Sequence, residues 1–150
     1  VLEAKRVSLF RNRYELAADG MPLASWDGRF WSTGGTLELD GRRFDVKASP
    51  MGRRYQMTDE TGAVVAEADR VGRKDWTVTA DGRTYRFQRA AWWSTAQQLL
   101  SDGQPVGSVR RVGPLSSNAV AELPTLPLPT QVFVVAVVLT LWAQQDASSG

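Results

Sequence analysis

Five aspartates, Asp19, Asp40, Asp59, Asp81 and Asp102, recur at regular intervals and have the chemistry of general acids and bases or of ligands for a hard cation. Four directly precede a glycine and Asp59 stands three residues before Gly62, turn positions where Asp tolerates a left-handed backbone or bonds to the turn it starts. That structural duty suffices, and the turn reading is preferred. The chain has no His and no Cys, which excludes imidazole-based triads, thiol nucleophiles, disulfides and zinc sites of the Cys/His type. Ser94-Thr95 and Ser116-Ser117 are hydroxyls without an imidazole base, in a context unlike a nucleophile elbow. Phosphate loops of the Walker or Rossmann type are absent. The sequence therefore predicts no enzyme, no catalytic residue, no cofactor and no required metal.

Tryptophans could stack sugars or nucleobases. Among alternating residues, Trp26, Trp31, Trp76, Trp92 and Trp93 read as core, seam or rim positions instead. With 18 Lys+Arg against 16 Asp+Glu the net charge is +2, too small for general nucleic-acid binding. Electrostatic function then requires local segregation of charge.

The elements that would segregate it are repeats. Gly20, Gly62 and Gly103 close turns 42 and 41 residues apart, and Asp40-Gly41 recurs 41 residues later as Asp81-Gly82. The flanks also match: LDGRRFDVK (Leu39 to Lys47) against ADGRTYRFQ (Ala80 to Gln88). Asp-Gly between alternating segments signals a hairpin. Phe44 and Val46 share one face with Arg42, opposite Arg43, Asp45 and Lys47; Tyr85 and Phe87 share one with Arg83, opposite Thr84, Arg86 and Gln88. From about Val7 to Glu122 the chain reads as three repeats of about four strands. Closing these strands into a barrel removes exposed edges.

At 150 residues and 43% hydrophobic composition the chain is expected to form one domain, residues 1–150. The run VFVVAVVLTLWA (Val132 to Ala143) is apolar on every side. Its valines permit a strand, but its length and lack of alternation favour a helix over about 130–145, with Thr130 as N-cap. Twelve helical residues span about 18 Å against about 30 Å of bilayer hydrocarbon, so a buried helix is preferred to a transmembrane one. A helix apolar all round must be buried all round, and the lumen of a wide barrel offers that burial. Val1 to Phe10 lacks the pattern of a signal peptide, so a cytoplasmic protein is expected, with peripheral membrane association left open.

If every Asp-Gly hairpin lies at one end of the barrel, the connections PMGRR, VGRKD and RRVGP lie at the other. They carry Arg53, Arg54, Arg73, Lys74, Arg110 and Arg111, with Arg70 close by and Asp75 as the main offset. Two readings stand: ordinary solvated turn charge, or a surface for an anionic phospholipid membrane or an acidic protein. A barrel carrying a small apolar ligand, and a nucleic-acid-binding module, are the alternatives.

Three hairpin repeats ending in a hydrophobic helix resemble the superfamily of tubby C-terminal domains, LURP-one-related proteins and phospholipid scramblases, here as a small bacterial-type member. The local match is Pro127-Leu128-Pro129-Thr130-Gln131-Val132-Phe133, similar to the tubby Pro-Leu shortly before Gln-x-Phe, with spacing one residue shorter. The resemblance implies a closed twelve-stranded antiparallel barrel around one helix, with lipid binding among several activities. This sequence departs from the calcium segment that the scramblase resemblance implies: Ser116 to Thr130 holds one acid, Glu122, where a hard cation takes about six oxygens.

Overall fold

The Asp-Gly turns take the conformation their residues favour. In the computed structural model, which describes residues 1–8, 12–28, 34–113 and 118–149, Asp19, Asp40, Asp81 and Asp102 have φ of 51°, 49°, 51° and 52°, and each following glycine is also at positive φ. Two consecutive positive φ values define the type I′ hairpin turn, whose twist matches that of the strands it joins. The remaining hairpin, between residues 58 and 64, uses a longer turn. There Asp59 Oδ1 accepts from the Thr61 hydroxyl and from the Thr61 and Ala63 N–H groups, at 2.9 and 3.1 Å for the latter two. These bonds, the hydroxyl's first, hold the Asp59 carboxyl below the usual range. These aspartates serve turns, and among the described residues no group of three acids could hold a metal.

The strands are β1 (Leu2–Arg6), β2 (Asn12–Ala18), β3 (Met21–Gly28), β4 (Gly34–Leu39), β5 (Arg42–Ala48), β6 (Tyr55–Thr58), β7 (Val64–Asp69), β8 (Asp75–Ala80), β9 (Arg83–Arg89), β10 (Gln97–Ser101), β11 (Gln104–Arg111) and β12 (Ala119–Glu122). Neighbours in sequence pair antiparallel and β12 pairs with β1, which closes the barrel. The repeat is structural as well as sequential. A register shift falls between Leu16 and Ala17, between Met57 and Thr58, and between Leu99 and Leu100, in the first hairpin of each repeat. Such bulges supply the curvature that closure needs.

The barrel begins earlier than expected. The third repeat has only three strands of its own, and its fourth place is taken by β1, upstream of the expected start at Val7. Leu2 and Ala4 point inward while Glu3 and Lys5 face water, but no tight-turn residues bound the segment and so flag it as a strand.

The C-terminal helix α1 (Leu128–Ser149) runs inside this barrel. It approaches β3, β4, β7 and β12, which lie on different sides of the ring, and Val132 through Leu139 are each at most 3% exposed. Inward-facing residues vary in size to fit it. Ala66 and Ala68 on β7 and Ala119 and Ala121 on β12 admit the helix closely, whereas Trp76 and Phe87 stack at 4.6 Å to fill wider space on β8 and β9.

Thr130 is not the N-cap. The helix starts two residues earlier, the Pro127 carbonyl accepts from the Gln131 N–H at 2.9 Å, and Gln131 Nε2 reaches back to the Leu126 carbonyl at 2.8 Å. Pro127 and Pro129 sit where a missing N–H costs nothing. The helix also outruns its apolar core: over 128–148 it is long and apolar enough to cross a bilayer, which removes the length argument against a span. Its burial inside the barrel now carries that argument.

Candidate functional site at the basic end of the barrel

Helix α1 enters the barrel near the Asp-Gly hairpins and ends among the opposite connections, where Gln144 Nε2 lies 3.5 Å from the Tyr55 hydroxyl and Asp146 bonds Arg111 at 3.1 Å. The last turn of the helix has no basic residue of its own, although a helix C-terminus carries about half a negative charge. Barrel cations surround it instead. Arg53, Arg73 and Lys74, with Arg70 and the offsetting Asp75, line a cavity of about 570 Å³ whose inner wall is Leu141 and Gln144. The cavity is firmly built: Val71 is buried, its N–H bonds the Arg53 carbonyl at 2.9 Å, and the Arg89 N–H bonds the Lys74 carbonyl at 2.8 Å. Among the described residues no carboxylate comes within ion-pair distance of Arg53, Arg70, Arg73, Lys74 or Arg110.

The other two expected site residues are engaged elsewhere. Arg54 turns to the outer wall and pairs with Glu67 and Asp69, each at 3.5 Å. The Arg111 guanidinium lies over the Trp142 ring at 4.7 Å, donates to Thr95 Oγ1 at 3.3 Å and holds Asp146, so it fastens the end of the helix to the barrel. Arg110 remains exposed beside it on a second groove of about 680 Å³, which also involves Trp93, Thr95, Gly113 and Asp146. The six expected residues thus divide into four outward cations in two depressions and two structural arginines.

The tryptophans divide as sharply. Trp26 and Trp76 are core residues, and the Trp76 indole donates to Gln97 Oε1 at 2.8 Å. Trp92 and Trp93 are 81% and 74% exposed on the β9–β10 connection. The sequence held a signal for this: consecutive residues on a strand face opposite ways, so a Trp-Trp pair cannot lie wholly inside. Trp31, Ser116, Ser117 and Pro114 lie outside the described residues.

Tyr55 provides a measurable sign of how tightly this end is closed. Burial pushes its phenol from near 10 up to about 12, with the Gln144 bond opposing. The folded protein therefore holds the proton more tightly than the unfolded chain does. Stability from this group is intact below pH 10 and is lost as pH rises towards 12, by about 2–3 kcal/mol. Chemical denaturation across that range should show Tyr55→Phe losing correspondingly less stability than wild type. Parallel losses would contradict this assignment.

No family model, curated protein or solved structure matches the chain.

Proposed function

We propose that this chain is a non-enzymatic binding module whose basic barrel end associates peripherally with anionic lipid headgroups at a cytoplasmic membrane face. The observation that carries the reading is the set of four outward cations, Arg53, Arg73, Lys74 and Arg110, without carboxylate partners among the described residues around one barrel mouth. Pairing with the Asp146 carboxylate accounts for Arg111 and leaves these four. The Asp-bearing hairpins at the opposite end would orient the barrel by repulsion. The closed twelve-stranded barrel around a helix also supports our placing the chain in the tubby, LURP-one-related and scramblase superfamily. With α1 in the lumen, a carrier of small apolar ligands is the less supported reading.

Each basic group close to an anionic membrane contributes about 1 kcal/mol, so the four together give reversible association. Liposome sedimentation of wild type and an Arg53/Arg73/Lys74/Arg110→Ala variant tests this. The variant is expected to lose at least about tenfold in affinity for anionic vesicles, and salt at about 1 M, where the Debye length is about 3 Å, should weaken wild-type binding strongly. Arg54→Ala should change little, because that guanidinium already has two carboxylates. Equal wild-type binding to neutral and anionic vesicles would sink the proposal.

A further inference from the structure

We infer that Trp92 and Trp93 are the interfacial anchor of this barrel end, inserting together into the boundary between headgroups and acyl chains of an anionic bilayer. The inference rests on the lipid-surface reading above and adds an apolar component to it. Strand order places the β9–β10 connection between the β7–β8 connection, with Arg73 and Lys74, and the β11–β12 connection, which follows Arg110 and Arg111. The two indoles are therefore flanked along the rim by cations on both sides. An amphipathic ring beside cations suits a bilayer interface, where one side is apolar and the other carries phosphates.

The pair is set for insertion before any membrane is met. Its rings meet edge to face at 5.5 Å. The loop beneath is fixed by the Ala90 N–H to the Ala96 carbonyl at 2.9 Å, the Ser94 N–H to the Ala91 carbonyl at 3.0 Å, and the Ala96 N–H to Ser94 Oγ at 3.0 Å. The Trp142 indole, on the central helix, donates to the Thr95 carbonyl at 2.9 Å and ties the loop to the core. Little ordering entropy remains to oppose insertion. Val112 (47% exposed), just after β11 on the neighbouring connection, widens the apolar part of the rim, and Met51 (76%) lies one connection further on, beyond Arg73 and Lys74. Met21, Val64 and Val106 are exposed at the other end, but they stand near acidic hairpins that an anionic surface repels.

The groove between Trp93 and Arg110 gives the anchor a headgroup partner: a lipid phosphate on Arg110 would lie beside the inserted ring. Embedding about half of an indole removes roughly 100 Å² of apolar surface from water, which corresponds to about sixtyfold in partitioning per ring.

The test uses phosphatidylcholine vesicles with and without phosphatidylserine, and acyl chains brominated near the headgroup. Wild-type fluorescence should shift to the blue and be quenched by bromine on anionic vesicles. Trp26, Trp76 and Trp142 are buried and should contribute little to that change. A Trp92→Ser/Trp93→Ser variant should keep the wild-type melting temperature, lose at least about tenfold in vesicle affinity and lose the quenching. At about 1 M salt wild type should retain residual binding that this variant lacks. Salt-sensitive wild-type binding without quenching, equalled by the double-serine variant, would overturn the anchor and leave the electrostatic reading standing. Absence of wild-type binding to anionic vesicles would overturn both.

Discussion

Val135→Asp is expected to abolish cooperative folding. Val135 is 1% exposed at the middle of α1, and its neighbours on the helix and the facing barrel wall are apolar. An ionised carboxylate there would have no partner, at a cost of several kcal/mol, while a domain of this kind is stable by only about 5–15 kcal/mol. Val135→Ala separates charge from volume. It leaves a small cavity costing about 2 kcal/mol, so it should still melt cooperatively about 4–8 °C below wild type. Thermal unfolding followed by circular dichroism checks both. A Val135→Asp protein that melts like wild type would mean that the middle of α1 is reachable by water.

Gly35→Ala should be nearly as damaging, for a different reason. Gly35 faces inward on β4, paired with Gly28 across the strand boundary, and the Trp26 ring covers the space that a side chain would take. An added Cβ would stand 2.2 Å from the Asp27 carbonyl oxygen and 2.8 Å from Trp26 Cη2. The ring could shift; the carbonyl belongs to β3 and cannot move without disturbing the β3–β4 ladder. The loss should exceed the 1–3 kcal/mol or so typical of overpacking, and Gly35→Val should not fold. Gly20→Ala is the control. Its Cβ would meet nothing within 4 Å, so it carries only the strain of φ +78°, about 1–2 kcal/mol. If Gly35→Ala proves no worse than Gly20→Ala in denaturant melts, the close β3–β4 approach at this point is wrong.

Most of the barrel could be read from two local signals, Asp-Gly and the alternation beside it, because type I′ turns and pleated strands are short-range consequences of residue type. What escaped depended on distant parts of the chain. Leu2–Arg6 alternates over too few residues to declare itself, and its place is set by Ala119–Ala121 at the other end of the sequence. The spacing of the basic residues placed them correctly at one mouth. It did not separate Arg54 and Arg111 from the rest, since their partners Glu67, Asp69 and Asp146 are brought near only by tertiary structure. The valine run announced burial, but the full length of α1 depended on Pro127 and Pro129 serving as a helix start rather than a barrier.

The pairing of Leu2–Ala4 with Ala119–Ala121 around a helix that follows them imposes an order on biosynthesis. While the ribosome adds residues one by one, the hairpins can form in turn, but a sheet sealed before residues 128–149 emerge would lock its own plug outside. The nascent chain must therefore stay an open, curved sheet with two free edges and a bare apolar face until residues 128–149 arrive. Closure then joins positions almost a whole chain apart, a non-local step that is slow by nature. Throughout that interval the growing chain is open to self-association and to capture by chaperones. For this architecture the vulnerable interval is the one before α1 enters.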